Sequence, residues 1–256
     1  MKKVLVIGDS CKDIFQYGKC ERLSPEAPVP IFKPTNTVGS GGMALNVYSN
    51  LKAFGINCDI ITNPDMPRKT RYVDEVSNQM LLRVDENDKV KNILLNDLAA
   101  IKYDDYLVVV ISDYNKGFLD ESDIEYISIN HPLVFMDTKK KMGDWCDSIG
   151  IIKVNQKEFN ENRNYLIEYA LKPKTNLIVT KGNRGSTWNC IEDFPIEDEH
   201  DVRDLSGAGD TFLAALVADY IKNNDIRSAI RFANKCAAWV VTQRGVVVVN
   251  LNKIKI

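Results

Sequence analysis

The sequence predicts an α/β fold in which a mostly parallel β-sheet carries helices on both faces and a small β lid stands beside it. Apolar segments rich in valine and isoleucine alternate with segments of helical periodicity over most of the 256 residues. Continuous apolar strands separated by helices are typical of a parallel sheet that is covered on both sides. Two further segments alternate like exposed strands and interrupt that order. The length suffices for one large domain, which we expect to span residues 1–256.

Each element of the main sheet is predicted from its pattern. The apolar runs predict strands at Val4–Ile7, Asp59–Thr62, Leu107–Ser112, Leu133–Asp137, Gly150–Val154 and Leu177–Thr180. Helical spacing predicts helices at Met43–Phe54, Val90–Ile101, Glu121–Ser128, Lys157–Tyr169, Ala208–Lys222 and Ile226–Arg244. Ligands of such sheets bind beyond the carboxyl ends of the strands, so functional residues are expected there.

The lid is predicted from Ala27–Lys33 and Arg71–Asp85, two extended segments inserted between α/β units. The second has the pattern of a hairpin. Pro28 and Pro30 indicate an edge strand, because proline cannot donate to a central ladder. We expect lid segments at about 16–38 and 69–86; an ordinary surface hairpin is the alternative.

Composition excludes several classes of protein. The formal net charge is −2, which does not indicate a nucleic-acid surface. No apolar run reaches the length of a membrane span, and no apolar signal region follows Met1. The six cysteines contain no C-x-x-C pair, so they are interpreted as reduced residues and not as disulfides or zinc ligands. We therefore expect a cytoplasmic protein with neither membrane nor nucleic-acid partners.

The string DLSGAGDT at residues 204–211 precedes an apolar run of helical spacing. Its glycines permit close backbone approaches, and a helix N-terminus binds anions through unpaired N–H groups. Gly207, Ala208 and Gly209 are therefore a candidate anion hole. Asp210 places a carboxylate beside that hole, where it suits a base that removes a hydroxyl proton during phosphoryl transfer. A tight turn with a capping aspartate is the alternative.

Four more strings stand at strand ends or helix starts. Residues 4–13, VLVIGDSCKD, end a strand and supply Asp13, whose carboxylate can accept hydrogen bonds from two sugar hydroxyls. Residues 39–46, GSGGMALN, contain Gly41, Gly42 and Asn46 and open a helix. Residues 153–158, KVNQKE, and 179–185, VTKGNRG, follow buried strands. The helix after the glycine-rich one carries Phe232-Ala-Asn234.

Together these strings resemble the signatures of the ribokinase-like (PfkB) carbohydrate kinase family. Residues 204–211 resemble its D-T-x-G-A-G-D motif, with Leu205-Ser206 in place of the usual Thr-x. The resemblance implies a ribokinase-like fold and an enzyme that uses ATP and Mg²⁺, and it leaves open a monovalent cation. A capped helix is the alternative for Asn155 and Glu158, and core packing is the alternative for Phe232.

The resemblance also implies roles for individual residues. The sugar would be held by Asp13, Gly41, Gly42 and Asn46. The nucleotide would be held by Asn155, Lys181, Gly182, Gly185, Gly207, Gly209 and Asn234. Asn155 and Glu158 would stand in the outer shell of Mg²⁺.

Finer similarity indicates one branch of the family. Residues 18–30, GKCERLSPEAPVP, resemble the branch that phosphorylates a heptose 7-phosphate at its anomeric hydroxyl, giving the 1,7-bisphosphate for nucleotide-heptose synthesis. Its substrate already carries a phosphate, which favours basic groups near the sugar. The basic candidates are Lys69, Arg71, Arg83, Lys116 and Lys139, taken from strings that also resemble this branch; surface solubility is the alternative. The same strings make Asp113 a further candidate for binding the substrate.

The chain departs from the family pattern after strand Asp59–Thr62. A loop, a helix and a strand are missing, and residues 63–68 lead directly into the lid. The chain also stops at Ile256 without a nucleotidyltransferase domain, so we expect a shortened kinase, dimeric through its lid. The rivals are a kinase for another sugar or sugar phosphate and a non-catalytic protein that binds a sugar phosphate.

Overall fold

The structure, a computed structural model, describes residues 2–196 and 201–254. Within them, eight strands form a main sheet in the order β12-β11-β10-β9-β8-β7-β1-β4. The strands from β10 to β4 run parallel, whereas β11 and β12 are antiparallel additions at one edge. The bounds are β1 Lys3–Gly8, β4 Cys58–Thr62, β7 Tyr106–Asp113, β8 Val134–Thr138, β9 Ile151–Asn155, β10 Asn176–Thr180, β11 Ser186–Trp188 and β12 Glu192–Phe194.

Apolar cores lie on both faces of the main sheet. In β1, Val4 and Val6 enter a core with the helix that follows the GAGD string, whereas Leu5 and Ile7 enter a second core on the opposite face. Burial on both sides explains why the strands lack polar alternation. The predicted α/β class with helices on both faces is confirmed.

Seven helices lie within the described residues. They are α1 Ala44–Ala53, α2 Leu95–Ala99, α3 Glu121–Asn130, α4 Gln156–Glu161, α5 Arg163–Leu171, α6 Ala208–Asn223 and α7 Ile226–Val240. The helix predicted at Val90–Ile101 is wrong over its first half. The amides of Val90 and Ile93 donate instead to the carbonyls of Lys116 and Phe118, at 3.0 and 2.9 Å. This segment is therefore extended along the loop after β7.

The single helix predicted at Lys157–Tyr169 is wrong, because two helices, α4 and α5, meet at Asn162. The side-chain oxygen of Asn162 accepts from the Met142 amide at 2.9 Å, and its amide group donates to the Glu158 carbonyl at 3.0 Å. A side chain that bonds to local backbone competes with helix continuation. The last helix also ends at Val240, before the predicted Arg244.

A second sheet has the strand order β3-β2-β5-β6. Its bounds are β2 Ser10–Leu23, β3 Pro30–Met43, β5 Arg68–Asp74 and β6 Met80–Glu86. The additional small sheet was predicted, but the whole of β2 was missed, and β3 extends ten residues beyond the predicted Lys33. The glycines at 39–42 therefore end a strand before α1 begins. β3 is an edge strand, as its prolines indicated.

The connection between the two sheets is short. β4 is an edge strand of the main sheet, and residues 63–67 lead directly into β5. Asn63, which is 1% exposed, accepts from the Ser10 amide at 2.7 Å and donates to the Ser10 carbonyl at 3.1 Å. These two hydrogen bonds hold the short segment at residues 63–67 against the start of β2. Across the described ranges, no helix has both the length and the apolarity needed to cross a membrane.

Candidate active site

The GAGD string starts α6, as the sequence predicts. Gly207 caps the helix with φ 79°, a left-handed conformation that favours glycine. A Cβ at this position would stand 2.7 Å from the side-chain nitrogen of Asn46. The first amides of a helix have no intrahelical acceptor. In α6 these amides belong to Ala208, Gly209 and Asp210, so the candidate anion hole lies one residue further along the chain than the predicted set of Gly207, Ala208 and Gly209.

Asp210 lies in the first turn of α6 and is only 4% exposed. One carboxylate oxygen accepts from the Tyr114 hydroxyl at 2.6 Å, and the other accepts from the Asn46 amide at 3.0 Å. Burial raises the pKa of Asp210 to about 6, against the lowering effect of the hydrogen bonds from Tyr114 and Asn46. A carboxylate with this pKa is suited to general base catalysis near neutral pH.

Asn46 is positioned by hydrogen bonds that run through Asn50 to the backbone of Val249. The side-chain amide of Asn50 donates to the side-chain oxygen of Asn46 at 3.0 Å. The oxygen of Asn50 accepts from the Val249 amide at 2.9 Å. The C-terminal segment therefore helps to fix the orientation of Asn46 against Asp210.

Asp13 lies on β2, in register with Lys69 of β5. Its carboxylate forms a buried ion pair with Arg71. A Cβ on Gly42 would stand 2.0 Å from the Asp13 carboxylate, so only glycine leaves room there. A Cβ on Gly41 would meet the Leu45 side chain at 2.2 Å. The structure thus brings Asp13, Arg71 and Gly42 together, as the sequence predicts.

A buried lysine near the start of α6 was missed in the sequence. Lys153 is 3% exposed, is bonded to Asp137, and has its ammonium 3.1 Å from where a Gly209 Cβ would stand. The sequence feature that could have indicated it is a lysine within β9, between the apolar residues Ile152 and Val154. It places a positive charge at the N-terminus of α6, where the helix dipole also favours anions.

Lys139 extends this charge network. Its ammonium contacts Asp137 at 2.8 Å and Glu158 at 2.6 Å. Burial alone would lower the pKa of Lys139, but the charges of Asp137 and Glu158 outweigh it and raise the pKa. Burial would likewise raise the pKa of Asp137, and the lysines Lys139 and Lys153 hold it below its usual value. Lys139 is therefore a cation in the folded protein.

Asn155 and Glu158 form a capping box at the start of α4. The Asn155 side chain accepts from the Glu158 amide at 2.9 Å, and the Glu158 carboxylate accepts from the Asn155 amide at 2.8 Å. In the described part of the chain, no group of three or more His, Cys, Asp or Glu side chains could hold a metal ion. Both Glu158 oxygens already accept from Asn155 or Lys139, so these residues would hold Mg²⁺ only from its outer shell, with nucleotide phosphates as its direct ligands.

Several predicted sugar residues are not brought to this cluster. Lys116 pairs with Asp88, and Arg83 pairs with Asp85 at 2.8 Å while its side chain remains 49% exposed. Asp113 is fully buried and accepts from the Thr138 hydroxyl. These side chains have partners away from Asp210.

The predicted nucleotide residues lie near the antiparallel edge of the main sheet. Lys181 pairs with Asp193 at 2.9 Å. The turn after β10 uses Gly182 and Gly185, whose φ angles are 62° and 80°. Asn234 points inward: it accepts from the Ser186 hydroxyl at 3.2 Å and donates to the Phe194 carbonyl at 2.9 Å. Its amide supports this edge and is not free for a nucleotide.

Comparisons with known proteins identify relatives of this chain. Residues 127–253 match the model of the pfkB family carbohydrate kinase. The bifunctional protein HldE of Helicobacter pylori strain J99 is 29% identical over 311 residues, covering 99% of this chain and 66% of its own length. HldE of Vibrio parahaemolyticus is 29% identical, covering 94% of this chain and 60% of its own length. The chain thus spans just under two thirds of these curated relatives.

Solved structures show the same fold. Ribokinase from Thermotoga maritima has a TM-score of 0.72 at 16% identity, covering 96% of this chain and 95% of its own. A phosphofructokinase-2 mutant from Escherichia coli has a TM-score of 0.72 at 14% identity, covering 95% and 94%. Both likenesses establish the ribokinase-like fold. The family match and the relatives that align with almost the whole chain identify it as a member of the pfkB family of carbohydrate kinases.

Proposed function

We propose that the protein is a single-domain, ATP-dependent kinase that phosphorylates the anomeric hydroxyl of a heptose 7-phosphate. The observation that supports this proposal most strongly is the environment of the Asp210 carboxylate. Its carboxylate is buried beside the N-terminus of α6, has a pKa of about 6, and has the Lys153 ammonium close by. A base, an anion hole and a cation stand together, as phosphoryl transfer requires.

In this mechanism Asp210 accepts the proton of the sugar hydroxyl as that oxygen forms its bond to the γ-phosphorus. The bond from phosphorus to the bridging oxygen of ADP breaks at the same stage. The amides of residues 208–210 and the Lys153 ammonium hold the phosphoryl oxygens, whose charge would otherwise be repelled by Asp210. Magnesium bound to the ATP phosphates, with Asn155 and Glu158 in its outer shell, would neutralise further charge.

The sugar would bind between the small sheet and the N-terminus of α1. Asp13 and Asn46 supply acceptors and donors for its hydroxyls, and Gly42, which has no Cβ, leaves room for the Asp13 carboxylate. The small sheet would close over this site as a lid. This arrangement supports orientation of one hydroxyl towards Asp210, which is the main source of catalysis in such reactions.

Lys69 is the best candidate to recognise the phosphate of the substrate. It lies in register with Asp13, and within the described residues it forms no ion pair. Arg71, by contrast, already pairs with Asp13. The similarity of residues 18–30 to the heptose kinase branch supports the same substrate, as do the HldE relatives, which cover almost the whole chain.

A turnover assay with ATP, Mg²⁺ and a panel of sugars and sugar phosphates tests the proposal. We expect ADP formation with heptose 7-phosphate and little with the unphosphorylated heptose. Asp210→Asn should lower kcat by about 10²–10⁴-fold, because the amide cannot accept the proton. Near-normal turnover in this variant would remove Asp210 from the mechanism.

The phosphate contact is tested separately. Lys69→Ala should raise KM for the sugar phosphate by roughly tenfold or more and leave KM for ATP unchanged, since a charge-assisted contact is lost. Lys33→Ala is the matched control, because Lys33 also lies on the small sheet but pairs with Glu21 at 2.7 Å. Equal use of free and phosphorylated sugar would favour the rival kinase for another sugar. No turnover with any sugar, together with measurable binding, would favour the non-catalytic rival.

We also propose a homodimer formed through the small sheet. Its exposed apolar side chains are Leu82 at 57%, Met80 at 54%, Val29 at 51% and Val76 at 80% exposure. Val73 of β5, by contrast, is only 6% exposed and is buried within its own chain. A flap with this much exposed apolar surface is stabilised by a partner.

A further inference from the structure

The hydroxyl of Tyr114 stands where the acceptor hydroxyl of a substrate would have to stand. A general base must lie within about 2.6–3.2 Å of the oxygen whose proton it takes. The Tyr114 oxygen is 2.6 Å from one oxygen of Asp210, and the Asn46 amide is bonded to the other. In this structure the candidate base therefore already accepts a hydrogen bond from a hydroxyl of the protein itself.

The backbone below Tyr114 is fixed. Asp9 is fully buried, and its carboxylate accepts from the amides of Tyr114 and Lys116, at 2.7 and 3.1 Å. A third bond, from the Phe118 amide at 3.2 Å, completes this support. Displacement of the hydroxyl would therefore be a rotation of the side chain, with no opening of the loop.

Two lysines from different parts of the fold lie near the ring of Tyr114. The ammonium of Lys139 is 5.2 Å from its centroid, and that of Lys69 is 5.7 Å away. Lys139 directly follows β8 of the main sheet, whereas Lys69 lies on β5 of the small sheet that would bind the sugar. The ring is therefore close to residues of both sheets. The charges of Asp210 and Asp137 add to burial in raising the pKa of Tyr114, so the hydroxyl keeps its proton and remains a donor.

We propose that the Tyr114 hydroxyl occupies the acceptor position on Asp210 in the sugar-free enzyme and thereby prevents hydrolysis of ATP by water. The reaction it prevents is balanced: a water oxygen bonds to the γ-phosphorus, the bond to the bridging oxygen of ADP breaks, and the water proton passes to Asp210. The sugar hydroxyl replaces Tyr114 because the rest of the sugar supplies binding energy that water lacks. This inference rests on the proposed role of Asp210 as base.

The test is ATP hydrolysis without sugar, measured at pH 8.5 so that Asp210 is ionised. Tyr114→Phe removes the hydroxyl and keeps the ring, and we expect sugar-independent hydrolysis to rise roughly tenfold or more. The double variant Tyr114→Phe with Asp210→Asn should show no rise. Tyr165→Phe is the matched control, because the Tyr165 hydroxyl also donates to a carboxylate, that of Asp147, at 2.8 Å on an exposed surface.

Three results would overturn the inference. Unchanged or slower hydrolysis in Tyr114→Phe would mean that the hydroxyl only supports Asp210. A rise that persists in the double variant would mean that the water is not activated by Asp210. If Asp210→Asn retained kinase turnover, Asp210 would not be the base and the premise of this inference would fail, while the proposed kinase activity would stand. Tyr114→Met removes the same hydroxyl and gives a second measurement, with circular dichroism checking that each variant is folded.

Discussion

Replacing Asp210 by asparagine should stabilise the protein above neutral pH while abolishing its activity. The pKa of this carboxyl rises from 3.8 to about 6 in the folded state, mainly through burial. The folded protein therefore binds the proton more tightly than the unfolded chain does. Stability contributed by this group is present below pH 4 and is lost as the pH rises through 6.

The expected gain follows from that shift. A difference of about 2 pKa units corresponds to roughly 3 kcal/mol between the two protonation states, and asparagine avoids all of it because it never ionises. The hydrogen bonds survive, since the new amide can donate to the Tyr114 hydroxyl while its oxygen accepts from Asn46. At pH 8 we expect Asp210→Asn to be more stable by up to about 3 kcal/mol, or to melt about 6 °C higher.

Thermal unfolding of both proteins between pH 4 and pH 8 measures this. The difference in free energy of unfolding between variant and wild type should be near zero at pH 4 and should grow as the pH rises through 6. The other titrating groups are the same in both proteins, so their contributions cancel. Asp104→Asn is the control, because it removes a carboxylate that is exposed. No added stability at pH 8, or a difference that grows towards acid pH, would refute the assignment of a buried ionised base.

Three further outcomes are expected. Gly42→Ala should raise KM for the sugar about tenfold or more with KM for ATP unchanged, because its Cβ would stand 2.0 Å from the Asp13 carboxylate; unaltered sugar kinetics would place the sugar elsewhere. Lys153→Met should lower kcat about 10²–10³-fold, as loss of an oxyanion donor does, and a change confined to KM would assign it to binding alone. Leu82→Glu should give monomers in sedimentation, whereas Leu95→Glu, at a site 64% exposed outside the small sheet, should not; a dimer unaffected by both would place the interface elsewhere.

Much of the fold was predictable because its signals are local. β1 has apolar residues on both faces, and a strand with that pattern needs helices on both sides of its sheet. The GAGD string specifies its own structure, since Gly207 must adopt a left-handed conformation and the apolar spacing after it requires a helix. Asp210 at the start of that helix was therefore identifiable without any knowledge of its neighbours.

The errors arose where distant residues compete with local preference. The pattern of Val90–Ile101 is helical, but its first amides bond to the loop at 116–118. The helix predicted through Asn162 breaks because that side chain bonds to Met142, twenty residues away. β2 was missed because its polar and apolar residues do not alternate regularly along its 14 residues.

The α/β class, the candidate anion hole and the candidate base could be predicted from the sequence, because each is specified by one contiguous segment. The surroundings of that base depend on the tertiary structure. Tyr114 comes from the end of β7 and Lys153 from β9, and whether either side chain reaches Asp210 depends on the register and direction of strands far apart in the chain. The inward orientation of Asn234 and the ion pair between Lys116 and Asp88 could not be predicted from the sequence either. Polar side chains bond to partners that lie close to them in the folded chain, and these partners can be distant in sequence.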